Sequence, residues 1–189
     1  PESRPRRLRS TAAIRDLVAD TRLSTKDFIA PLFVREEGDA PVPIKSLPGV
    51  VQHTLSSLKD EVRQLRDLGV PGVILFGIPK HKDEVGSGAF DPNGIVQRAL
   101  SELRASVGDD MVLMADLCVD EYTSHGHCGV LDAKGHVDND ATIEIYTKAA
   151  VAQARAGAHV VAPSGMMDGQ VGAIRSALDY NNFLDTAIL

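Results

Sequence analysis

The chain has 189 residues, 43% of them hydrophobic and 24% charged, which is the size and composition of one substantial globular core. A net charge of −6 argues against general nucleic-acid binding, which needs a basic face. No apolar run approaches the roughly 20 residues that span a bilayer, so a soluble, cytoplasmic protein is expected.

In chain order, Arg4, Arg6, Arg7 and Arg9, with Pro1 and Pro5 around them, read as an extended arm lying on a surface of this chain or of a neighbour; a solvated tail explains them equally well. TAAIRDLVADT then sets Ala12, Ile14, Leu17 and Val18 near helical spacing. FIAPLFV, residues 28–34, is a short apolar run of strand type, followed by a Gly- and Pro-containing loop from Glu36 to Gly49. SSLKDEVRQLRDLG places Leu58, Val62, Leu65 and Leu68 on one helical face and closes on Gly69. GVILFGI, residues 72–78, is the second buried strand, and a polar loop, KHKDEVGSGAFDPNG, comes after it. The next helix, GIVQRALSELRASVG, turns Ile95, Leu100 and Leu103 inward. MVLMADLC is the third strand, ATIEIYTKAAVAQARAG a helix, HVVAPSG the fourth strand, GQVGAIRSALD a helix, and TAIL the start of a fifth strand.

Apolar runs alternating with amphipathic helices indicate an α/β protein with a parallel sheet of βα units. Only four units are complete before TAIL, whereas a (β/α)8 TIM barrel takes about 250 residues. The expectation is an arm and helix over residues 1–24, then the first half of a barrel over 25–189 that ends in its fifth strand. A small open domain is disfavoured, because it would leave a buried-type strand at a bare edge. In such folds the functional groups gather at the C-terminal ends of strands.

DLCVDEYTSHGHCG, residues 116–129, holds both cysteines, and Cys118 and Asp120 are two apart at the end of MVLMADL. On a strand, that spacing puts both side chains on one face. Cys128 can return to them, with Gly126 and Gly129 permitting the tight backbone. Two thiolates and a carboxylate form a three-ligand set that suits zinc first and leaves a fourth position for water or substrate. Two free core thiols are the open alternative. A disulfide is disfavoured, since the opening PESRPRRLRS has no apolar signal region and nothing else points to an oxidising compartment.

DLCVDEYTSHGHCGVL and VVAPSGMMDGQVGAIRSALD, preceded by RPRRLR, PLFV, LFGIP and DPNGI, resemble the porphobilinogen synthase (5-aminolaevulinate dehydratase) family, in order, from about Arg4 to Leu189. The resemblance implies a TIM barrel whose N-terminal arm wraps a neighbouring subunit of a homo-octamer. It implies a hydro-lyase of tetrapyrrole (haem) biosynthesis that condenses two 5-aminolaevulinate molecules to porphobilinogen. Zinc-dependent members carry cysteine at the positions of Cys118, Asp120 and Cys128, so the aspartate here makes the set harder, weakening zinc and admitting Mg2+ or manganese. His127 resembles a histidine that orients a metal-bound thiolate and water, with a solvent-facing loop histidine as the other reading. Asp116 and Ser164 match residues lining the substrate pocket, where Asp116 would take a proton or hold an amine and Ser164 would hydrogen-bond substrate or the attacking lysine. A capping carboxylate and a turn residue beside Pro163 are their structural alternatives. At Gly165 and Gln170 the chain departs from the family's aspartate and arginine.

The same resemblance implies Schiff bases on two lysines of the fifth and sixth strands, beyond Leu189. Lys26, Lys45, Lys59, Lys80, Lys82, Lys134 and Lys148 read as solvated surface groups, none ending an apolar strand. Two rivals remain: a non-catalytic subunit that associates with other chains, and a metal-dependent hydrolase, disfavoured because its usual ligands are histidines and carboxylates.

Overall fold

The computed structural model describes residues 1–189. From the N-terminus to residue 29 only Ile14 is even half-buried, and Leu8, Leu17 and Leu23 are 53%, 79% and 77% exposed. Pro5–Arg9 is a 3-10 turn where an extended segment was expected, because Pro5 presets its first φ and the Ser10 hydroxyl donates to the Arg7 carbonyl at 2.9 Å. Helix α1 follows at Ala12–Leu17, capped by Thr11, whose hydroxyl accepts the Ile14 N–H.

Strand β1, Ile29–Arg35, is succeeded by two short strands, β2 at Val42–Pro43 and β3 at Val51–His53, inside and just after the expected loop. Helix α2, Leu55–Asp67, starts in a reciprocal cap between Thr54 and Ser57 and buries Leu58 and Val62. Leu68, expected on the same face, is 69% exposed because the helix ends at Asp67 and the chain leaves through Gly69 at φ +83°. Then come β4 at Gly72–Ile78, α3 at Ile95–Val107, β5 at Val112–Leu117, α4 at Asn139–Ala156, β6 at Val160–Pro163, α5 at Gln170–Tyr180 and β7 at Ala187–Ile188.

The sheet order is β2-β3-β1-β4-β5-β6-β7, parallel throughout except for the β2–β3 pair. From β1 onward each long strand lies beside its successor, and α2 to α5 pack in the same sequence. That consecutive winding, with no reversal of strand order, belongs to a barrel rather than to a doubly wound sheet.

Alternation along the strands decides what faces where. Leu32, Val34, Val73, Leu75, Leu113 and Ala115 are buried with Leu58, Val62, Ala99, Leu100 and Leu103 of α2 and α3. A second cluster joins Leu117 and Val161 to Ile145, Tyr146, Ala149, Ile174 and Leu178 of α4 and α5. The intervening strand residues point to the other side, where the Phe33 and Phe76 rings stack at 5.3 Å. On β5 this phase gives Asp116 to the side away from the helices.

Candidate functional site

Strand β5 stops at Leu117, so the proximity of Cys118 and Asp120 is made by a turn and not by strand alternation as expected. The Val119 carbonyl accepts both the Tyr122 and Thr123 N–H groups, at 2.9 and 2.8 Å, and folds the chain back immediately after Cys118. The return to Cys128 is held at several points. The Thr123 hydroxyl donates to the His127 carbonyl at 3.0 Å, and the Tyr146 hydroxyl donates to the Cys128 carbonyl at 2.7 Å. Gly126 adopts φ +73°, the left-handed region. Gly129 is needed for a different reason, since a Cβ there would lie 2.6 Å from Val137 and 2.7 Å from the Thr142 hydroxyl.

These constraints bring one sulfur from each of the two free cysteines and one Asp120 oxygen within 4.8 Å of one another. Cys118 is buried and the other two are half-buried. Burial pushes the Cys118 thiol well above its usual range, and hydrogen bonding to the Asp120 carboxylate and to Cys128 adds to this, against the Asp120 amide and Tyr146. No base is among these influences. The Asp120 carboxylate and Cys128 both work against the Cys118 thiolate, and a cation among the three donors would stabilise that thiolate.

Asp116 pairs in register with Ala162 of β6, which sets Ser164 within hydrogen-bonding reach of its carboxyl. Burial raises the Asp116 pKa to about 6, the Ser164 hydrogen bond lowers it, and the nearby Asp120 charge raises it. Ser164 itself is exposed. Gln153 anchors the strand from behind, donating to the Asp116 carbonyl at 2.7 Å. His127 is exposed, its ring 5.4 Å from that of His125, and it is not part of the sulfur–carboxylate group. Gln170 bonds its own loop, donating to the Gly165 carbonyl at 3.0 Å and accepting the Met167 N–H at 2.9 Å.

Sequence reasoning assigned no role to Glu121. Burial first, then the charges of Asp116 and Asp120, push its pKa up to about 8, against Lys82 and a hydrogen bond from Gly77. It lines a cleft of about 260 Å³ with Phe33, Ile44, Leu47, Gln52 and Lys82. Its one sequence signal was adjacency to Asp120.

The family profile for delta-aminolevulinic acid dehydratase matches residues 2–189. The chain is 56% identical over 191 residues to the delta-aminolevulinic acid dehydratase of Streptomyces coelicolor and 55% identical to that of Mycobacterium tuberculosis, covering 100% of this chain and 58% of each relative. It superposes with a TM-score of 0.95 and 39% identity on delta-aminolevulinic acid dehydratase (porphobilinogen synthase) of Toxoplasma gondii ME49, a complex with the reaction product porphobilinogen. That match covers 99% of this chain and 53% of the Toxoplasma chain. The chain thus spans little more than half the length of these relatives.

Proposed function

The chain belongs to the delta-aminolevulinic acid dehydratase family, and from that membership we propose that the complete protein condenses two molecules of 5-aminolaevulinate to porphobilinogen with loss of water, as a hydro-lyase of tetrapyrrole and haem biosynthesis in the cytoplasm. The observation that carries this reading is the overlay of 99% of the chain on a structure holding porphobilinogen. The reading assigns residues 1–24 to an arm and 25–189 to the first half of the barrel. The exposed apolar side chains of Leu8, Leu17 and Leu23 support an arm that packs on a neighbouring subunit, in a homo-octamer.

Asp116 and Ser164 form the substrate-facing part of the proposed site. Asp116, buried and near pKa 6, holds the substrate amine or takes a proton from it, while the Ser164 hydroxyl orients the carboxylate and hydrogen-bonds substrate. Cys118, Asp120 and Cys128 hold the metal, Zn2+ or Mg2+, with His127 on the adjoining loop. When bound, the metal supplies Lewis-acid polarisation of the second substrate's carbonyl or activation of water. The two Schiff-base amines come from outside these residues, which is supported by the absence of any buried lysine among the seven present. A metal-dependent hydrolase fits less well, because the ligand group has two sulfurs and no histidine.

The test is to assay the complete protein for porphobilinogen, with and without a chelator. Turnover that the chelator abolishes and metal restores is the expected result; no product under any metal condition refutes the reading. Asp120→Cys replaces a hard donor by a soft one and should tighten zinc binding on the order of 10-fold or more while weakening magnesium. Competition with a chromophoric chelator measures this, and unchanged zinc affinity would remove Asp120 from the ligand set.

A further inference from the structure

Tyr146 lies on α4, fully buried, 28 residues from Cys118 and 18 from Cys128, yet its hydroxyl meets both. The oxygen is 3.7 Å from the Cys118 sulfur and donates to the Cys128 backbone carbonyl at 2.7 Å. Its ring packs in the cluster that contains Leu117, Val119, Ile145 and Ala149. A phenylalanine would supply the same packing. A buried hydroxyl stabilises only through the bonds it makes, and here both go to the residues that carry the two sulfurs.

A second observation comes from the neighbouring strand end. Gly165 has no positive φ, so its backbone does not require glycine. A Cβ there would nevertheless lie 2.5 Å from Tyr146 Cε2 and 2.7 Å from Cζ, and closer still to the hydroxyl. The phenol therefore occupies the space that a side chain at position 165 would take, immediately after Ser164. Helix α4 thereby braces the Cys118 turn, the Cys128 loop and the β6 exit against a single ring.

We propose that Tyr146 is a positioning residue of the metal centre, its hydroxyl setting the separation of the Cys118 and Cys128 sulfurs, and that Gly165 is the clearance this ring requires. The proposal rests on the reading of Cys118, Asp120 and Cys128 as metal ligands. With the hydroxyl removed, the Cys128 carbonyl loses its donor and the loop between Thr123 and Gly129 can shift its sulfur, at no cost in apolar packing. An effect of the size known for outer-shell partners of metal ligands follows, about 10- to 100-fold in affinity.

The experiment uses the complete protein, wild type and Tyr146→Phe, titrated with Zn2+ in competition with a chromophoric chelator and with Co2+ as a spectroscopic probe of thiolate ligation. The expected result is zinc affinity lower by about 10-fold or more and an altered cobalt–thiolate charge-transfer band, with no more than the modest drop in the metal-free unfolding midpoint that loss of one hydrogen bond brings. Gly165→Ala, which forces the ring aside, should reproduce the loss of affinity. Wild-type affinity and an unchanged band in Tyr146→Phe would overturn the proposal, as would a loss of metal-free stability alone, which would make the hydroxyl a packing group. A wild-type protein that takes up neither ion overturns the ligand set itself, and this role with it.

Discussion

The 189-residue polypeptide expressed by itself forms no porphobilinogen from 5-aminolaevulinate, and borohydride added with substrate traps no covalent adduct. An imine at neutral pH needs an unprotonated amine, which proteins obtain by burying a lysine or crowding it with other cations. Neither condition is met in this chain. Six of its seven lysines are exposed; the seventh, Lys59, is half-buried and paired with Glu102 at 2.8 Å. Lys80 is held in its charged form by Glu37 at 2.9 Å, which raises its pKa, and Lys148 lies 6.0 Å from the centre of the Phe90 ring. Intact-mass analysis after reduction is the measurement. A substrate-sized increment would place a nucleophile within these residues, and Lys82, which shares the Glu121 cleft, would be the first site to map.

In the complete protein, Asp116→Asn lowers kcat by about 100- to 10,000-fold, the range expected when a group that moves a proton in the rate-limiting step is removed. Asparagine has nearly the same shape and still accepts the Ser164 hydrogen bond through its carbonyl oxygen. It can neither take a proton nor carry the charge that holds an amine. Asp116 is outside the sulfur–carboxylate group, so zinc stoichiometry should be retained, which separates this effect from a damaged metal centre. A kcat within about threefold of wild type, far below that range, would make Asp116 a capping group of the strand exit.

The long strands and helices were legible because each carries its own period. GVILFGI became Gly72–Ile78, and the inward trio Ile95, Leu100 and Leu103 is buried as its spacing required. Strands β2 and β3 were not legible, because two or three residues show no alternation and their pairing depends on β1. At the site, the trio Cys118, Asp120 and Cys128 could be named from residue type and glycine placement, but for Asp120 the stated cause was wrong, since a turn and not a strand positions it. Glu121 was missed because the residues that share its cleft, Ile44, Leu47 and Gly77 among them, are all distant in sequence. Tyr146 was missed because, read along α4, it is one more member of the buried stripe. Its polar tip acquires meaning only when the loop and β6 arrive beside it.

The two apolar clusters divide β5 between them. Leu113 and Ala115 belong to the first, with α2 and α3, and Leu117 belongs to the second, with α4 and α5. A six-residue strand thus contributes to both packing units, which also meet where α3 packs on α4, and the turn that carries Cys118 and Asp120 begins at the end committed to the second. Loosening around α2 would leave the sulfur geometry largely insulated, whereas loosening around α4 would reach it within one residue. Substitutions in the interior of α2 are accordingly expected to disturb the Cys118–Cys128 geometry less than substitutions in the interior of α4.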